Sequence, residues 1–256
     1  MLILAFKLFL TPLLIVSVTL AGRRWGTAVS GLLIGLPLVS APISFIIALE
    51  HGTLFASRAA IGNLVGEISS VLFCLVYILL APRFSWRICS LSAVATFFVA
   101  TALLNCFSWQ LWPSFCIEIS LIVGCALLLK PHPVPPRIQV APRWDLPARI
   151  ITATLLTVTL TSIADRLGPQ LSGMVSPFPA FSLIFAAFTH SQQGGKSAAN
   201  LLRGVIVGSG GYSAFFLFIG ALLPALGIAL SYLLASVIAV AAGALTFYGT
   251  RKKPGR

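Results

Sequence analysis

The sequence predicts an all-α polytopic membrane protein with about nine transmembrane helices in a 4+1+4 inverted-repeat arrangement. Three observations carry that expectation. The 256 residues are 58% hydrophobic and only 9% charged, with a mean hydropathy of +1.02, whereas a soluble domain needs a far more charged surface. Apolar stretches of roughly 20 residues, the length that crosses a bilayer, follow one another between short loops of Gly, Pro, Arg and Lys. Finally, residues 4–104 align without a gap on residues 146–246, at a constant shift of 142. The paired identities include Arg24 with Arg166, Gly26 with Gly168, Pro37 with Pro179, Ser40 with Ser182, Gly52 with Gly194 and Pro82 with Pro224. Most are residues that set backbone geometry; apolar composition alone would chiefly match Leu with Leu.

The expected spans cover residues 2–21, 27–49, 57–80, 86–107 and 111–129, then 147–164, 171–189, 198–223 and 226–248. The first resembles a signal peptide only superficially. Its apolar part is long, its basic pair Arg23–Arg24 follows it, and no small-x-small cleavage site comes next. It also has a counterpart in the second half, so it counts as a span.

The charges sort with this layout. Arg23, Arg24, Arg83, Arg87, Lys130, Arg137, Arg143, Arg149, Lys196 and Arg203 follow odd-numbered spans, and Arg251, Lys252, Lys253 and Arg256 lie in the tail. Only Lys7, Arg58 and Arg166 fall on the other side, out of 17 basic residues in all. Cytoplasmic loops are enriched in Lys and Arg, so the N-terminus is expected outside and the C-terminus in the cytoplasm. The net charge of +12 is therefore a topology bias and no sign of a nucleic-acid partner. Lys7 and Arg149 are repeat mates near span ends, placed to snorkel to an interface.

Five spans separate the start of one repeat from the start of the next, and an odd number turns the second copy upside down. The expected organisation is a first repeat at 1–108, a connecting helix at 109–130, a Pro/Arg-rich cytoplasmic linker at 131–146, a second repeat at 147–249 and a basic tail at 250–256.

Both copies carry an interrupted second span. The first reads Gly31-Leu-Leu-Ile-Gly-Leu-Pro37, with Pro42 beyond it; the second reads Gly173-Met-Val-Ser-Pro177-Phe-Pro179. Proline removes an amide donor and clashes with the preceding turn. Paired broken spans at matching positions point to a midplane site, with Pro37, Ser40, Pro177, Pro179 and Ser182 on it. A kink serving packing alone is the competing reading. The third spans carry Gly62-x-x-x-Gly66 and Gly204-x-x-x-Gly208, small residues that let helix backbones approach; these two helices are expected to cross at the pseudo-symmetry axis.

The segment Ser172 to Ile184, Ser-Gly-Met-Val-Ser-Pro-Phe-Pro-Ala-Phe-Ser-Leu-Ile, resembles the signature of the GlpM-like small bacterial inner-membrane proteins. There a Gly–apolar–apolar segment runs into Phe-Pro and then an apolar helix. The first half is similar, with Leu36-Pro37 for Phe-Pro, so each half resembles one such protein. The resemblance implies a bacterial inner (plasma) membrane location and no reaction.

Beside the glycines of the third span lies the acid Glu67, on a helical stripe with Asn63, Ser70 and Cys74. An ionisable group at that depth is by default a functional-site hypothesis; its role would be to bind a proton or cation, against a purely structural carboxyl. Its repeat mate is Ser209. Glu118 in the connecting helix is the second candidate, with a lipid-facing or structural role at least as well supported.

His190, Gln192 and Gln193 before Gly194-Gly195-Lys196-Ser197 lack the first glycine of a phosphate loop and follow no strand. Three histidines and five cysteines without C-x-x-C spacing suggest no metal, no cofactor and no enzyme. The expected partners are the bilayer and a small-molecule, proton or cation substrate. The leading expectation is a small secondary transporter. The alternative is a non-transporting accessory protein that holds a membrane or envelope complex.

Overall fold

A computed structural model describes residues 2–133, 142, 144–159 and 178–251. Among these there are helices and connecting turns and no strand. The helices are α1 (Leu2–Trp25), α2 (Thr27–Gly35), α3 (Ser40–His51), α4 (Thr53–Leu80), α5 (Trp86–Leu104), α6 (Leu111–Leu128), α7 (residues 145–159), α8 (Ala180–Gln193) and α9 (Gly195–Arg251). Among the described residues five stretches are long and apolar enough to cross a membrane: Thr27–His51, Thr53–Leu80, Trp86–Leu104, Leu111–Leu128 and Gly195–Leu245. The protein is an all-helical, membrane-embedded chain. Leu91, Leu103, Leu127, Leu128, Leu233, Val240 and Leu245 lie well exposed on the outside of the bundle, as lipid-facing side chains do.

The second expected span is broken where its prolines require it. α2 stops at Gly35, Leu36 takes extended backbone (φ −77°, ψ 154°), and the helix resumes at Ser40 after Pro37. In the second half Phe178 and Pro179 lie outside the helix and α8 begins at Ala180; Pro177 and the preceding half of that span lie outside the described residues. The two restarted helices end alike. Gly52 (φ 83°, ψ 170°) caps α3 and Gly194 (φ 87°, ψ 167°) caps α8, each returning its amide to the carbonyl four residues back. Only glycine adopts that left-handed conformation without strain.

α9 holds 57 residues and at 1.5 Å per residue would run roughly 85 Å as one rod, far beyond a bilayer. Gly227, at φ 71° and ψ 178°, breaks it. The chain then doubles back, for the Phe215 and Tyr232 rings meet at 6.0 Å. The sequence placed this turn between 223 and 226, around Pro224. It falls at Gly227 instead, because proline cannot leave φ near −65° and glycine can.

The contacts fix how the helices run. α4 lies antiparallel to the first part of α9: the Ser57 hydroxyl donates to the Gly220 carbonyl, and Gly195 sits against the Ala81 carbonyl. α6 is likewise antiparallel, with Leu111 beside Gly220 and the Leu129 carbonyl accepting from Arg203. α2 runs parallel to α9, Gly31 beside Gly204 and Gly35 beside Gly208.

The buried residues form two clusters, and the shift of 142 relates one to the other. Nine of the twelve members of the second have their shifted counterpart in the first. The pairs are Ala56 and Ala198, Ala60 and Leu202, Leu64 and Ile206, Phe73 and Phe215, Cys74 and Phe216, Tyr77 and Ile219, Ala81 and Leu223, Ala93 and Ala235, and Phe97 and Ala239. Contacts recur in the same register: Phe178 meets Phe97 edge to face, while its mate Leu36 lies on Gly211 and Gly243, beside Ala239.

One expected contact is corrected. The glycines Gly204 and Gly208 pack against Gly31 and Gly35 of α2, each facing a backbone carbonyl. A carbonyl can reach a glycine Cα because no Cβ intervenes. Gly62, which was expected to meet them across the axis, faces open space, and α4 meets α9 through its polar stripe. Gly66 is buried. A methyl at Gly208 would collide with the Leu32 carbonyl, so Gly208→Ala should destabilise by about 1–3 kcal/mol. Gly62→Ala should be neutral or stabilising, by up to ~1 kcal/mol from helix propensity. Unfolding midpoints in detergent will separate the two.

Candidate functional site

The polar stripe of α4 meets α9 inside the bundle. The Ser209 hydroxyl donates to Glu67 Oε1 at 2.5 Å, and Ser70 is also within hydrogen-bonding reach of Glu67. One turn toward the α4 N-terminus, Asn63 accepts from the Tyr212 hydroxyl at 3.1 Å and gives its amide to the Ala59 carbonyl. One turn further along α9, the Ser213 hydroxyl donates to Glu118 Oε1 of α6 at 2.5 Å and to the Ser209 carbonyl. Glu118 is fully buried and therefore does not face lipid. The two carboxyls, one from α4 and one from α6, are thus each held by a serine on successive turns of α9, and they interact electrostatically. Glu67 is half-buried where Glu118, Ser209 and Ser213 are completely enclosed.

The broken helices flank this network. Ser40, the first residue of α3, reaches the Tyr212 hydroxyl; its mate Ser182, early in α8, is buried and reaches Cys74 on the α4 stripe. Pro37 is buried, and Pro179 caps α8. The structure therefore gathers Glu67, Asn63, Ser70, Ser209, Ser40 and Ser182 around α4 and α9, with Pro37 and Pro179 as the breaks that let α3 and α8 start there. Tyr212, Ser213 and the enclosure of Glu118 escaped sequence reasoning. The available signal was the spacing of Ser209 and Ser213 at i and i+4, opposite a lone acid of the connecting helix.

A second polar cluster ties one end of the bundle. Asp145, at the start of α7 and 2% exposed, accepts from Arg149 at 2.8 Å and from Arg23 of α1 at 3.0 Å. Gln192 of α8 donates to it at 2.7 Å. Arg149 is 5% exposed, with Phe185 and Phe188 rings under its guanidinium at 5.1 Å. Arg149 was expected to snorkel; the nearby carboxylate holds it inside instead. The i, i+4 spacing of Asp145 and Arg149 was the clue in the sequence. Burial alone would raise the Asp145 carboxyl, but hydrogen bonds from Arg149, Gln192 and Arg23 and the Arg149 charge outweigh it and hold it below its ordinary value. Gln192 works in this cluster, and His190 meets the Tyr77 hydroxyl. Among the described residues no group of three His, Cys, Asp or Glu could hold a metal.

No protein-family model, no curated protein and no solved structure matches the chain.

Removing the Asp145 charge strands a buried guanidinium. Asp145→Asn should destabilise by about 3–5 kcal/mol. Losing the Arg23 partner, which is 41% exposed, should be worth about 0–1 kcal/mol. The Asp145 carboxyl titrates lower in the folded chain than in the unfolded one, so the clasp's contribution is complete above the unfolded value. It fades as pH falls through the lower, folded one. Acid-unfolding curves of wild type and Asp145→Asn should therefore differ at neutral pH and converge at strongly acidic pH.

Proposed function

We propose that the chain is a small secondary transporter of the bacterial inner membrane, built as two four-helix units facing opposite ways and joined by α6. Glu67 is its proton- or cation-coupling group. The observation that carries the reading is the hydrogen bond from Ser209 to Glu67, residues 142 apart and therefore repeat mates. A residue touches its own image only beside the axis that relates the two copies. The paired buried clusters and the matching Gly52 and Gly194 caps support the same relation.

The helix directions support nine passes, 4+1+4, with the N-terminus outside. Arg23, Asp145 and Gln192 meet at one end, where Ala81 meets Gly195. Ser57, Leu111 and Gly220 meet at the other. In the nine-pass layout the first group consists of cytoplasmic loops and the second of outside ones. Inverted repeats with broken helices around a midplane site are the frame in which alternating access works. The resemblance to GlpM-like proteins supports the location and adds no reaction. The close glycine contact of α2 with α9 suits the rival accessory role, in which the halves never part.

Flux separates the two readings. In proteoliposomes, purified protein should dissipate an imposed pH gradient when the right small molecule from a metabolite panel is added. Glu67→Gln should reduce that flux to the level of protein-free vesicles while inserting normally. Flux unchanged in Glu67→Gln would remove the acid from the mechanism, and no flux with any solute would favour the accessory role.

A further inference from the structure

We infer that Glu118 completes the site as a second proton-binding carboxyl: the connecting helix supplies an acid that holds a proton on Oε2 while Glu67 of α4 and Glu118 of α6 are held against adjacent turns of α9. The inference deepens the coupling role given to Glu67 and rests on that reading for its use in transport. The geometry stands apart from it. Glu118 is completely enclosed, its Oε1 takes the Ser213 hydroxyl, and its Oε2 is buried with no partner among the described residues.

An ionised carboxylate in such surroundings needs a cation, a donor or a proton. The ion pairs found among the described residues all involve Asp145, at the far end of α9 from Glu118, so no cationic side chain fills the need. The titratable groups that interact electrostatically with Glu118 are Glu67 on α4 and the Tyr212 phenol on α9. A second carboxyl is a poor neighbour for a negative charge, since two acids sharing a site do not both ionise readily. The hydroxyls of Ser209 and Ser213 already lie between Oε1 of each acid and a backbone carbonyl, so neither serves Oε2. A proton on Glu118 Oε2 satisfies the remaining atom and leaves the pair with no more than one negative charge.

The pairing also explains the fold's asymmetry. Neither acid has an acidic mate: Glu67 faces Ser209 and Glu118 lies on the helix outside the repeats. The tail half contributes hydroxyls and the front half and the connector contribute acids, so the proton site exists only where all three parts meet.

Infrared difference spectroscopy of the purified full chain tests this without a known substrate. At neutral pH the protein should show the carbonyl stretch of a protonated carboxyl, shifting in deuterium oxide. Glu118→Gln should remove one carboxyl's share of it with the unfolding midpoint little changed, and any band that is left should go when Glu67→Gln is added. Ser213→Ala should move it without removing it, because one donor to the same carboxyl is lost. Absence of the band in the folded wild type, or its undiminished survival in Glu118→Gln, overturns the inference. So does its loss on adding sodium but not choline, which would make the occupant a metal cation. A chain that shows the band yet transports nothing would refute the transport reading and leave the proton site standing.

Discussion

A half-buried carboxyl inside an apolar bundle is the constraint around which this structure is organised. Glu67 lies on a helix whose other faces are apolar, and the low-polarity interior tolerates it only with donors close by. Those donors come from the other half of the chain. Ser209 supplies the hydroxyl directly, Tyr212 takes the next turn's Asn63, and Ser213 carries the same pattern on to Glu118. The polar strip is therefore a seam between halves, and separating them would strand the acid. That seam adjoins a backbone-to-backbone contact on another face of α9, where glycines bring α2 against it. One helix thus carries both a rigid contact and a polar, protonatable one.

Repeat symmetry and chemical asymmetry meet at the same place. The duplicated backbone features are nearly identical: a proline break, a short helix, a glycine cap and a long helix. The side chains between them have diverged. Phe178 replaces Leu36, Arg149 replaces Lys7, and Ser209 stands where Glu67 stands in the first copy. Divergence is tolerated because geometry is carried by Gly and Pro. The Asp145 clasp shows the same division, binding ends of α1, α7 and α8 through one carboxylate that has no counterpart in the first half.

Much of the helical layout was legible. Hydropathy marks long apolar helices because lipid leaves the backbone no other solution, and the proline at 37 marks a break because it lacks an amide. The caps Gly52 and Gly194 could be read as repeat mates, though their positive φ could not. Helix partners were the weak point. Gly204-x-x-x-Gly208 states that some backbone comes close without saying whose, and in the nearer match, Gly62-x-x-x-Gly66, Gly62 proved to face outward while Gly31 and Gly35 filled the role. The enclosure of Glu118 was hidden for a related reason. On an apolar helix a lone acid has no periodicity of its own, so its face is decided by the neighbour, Ser213, which sequence distance conceals.

The most direct measurement of the central claim is the sidedness of two repeat mates. His51 and Gln193 are exposed and end α3 and α8 beside the matching caps. In a chain whose five cysteines are replaced, His51→Cys should react with a membrane-impermeant thiol reagent applied to intact cells. Gln193→Cys should react only once the membrane is opened. Labelling of both from the same side would mean that the two halves face the same way, and the axis through Glu67 and Ser209 would not exist.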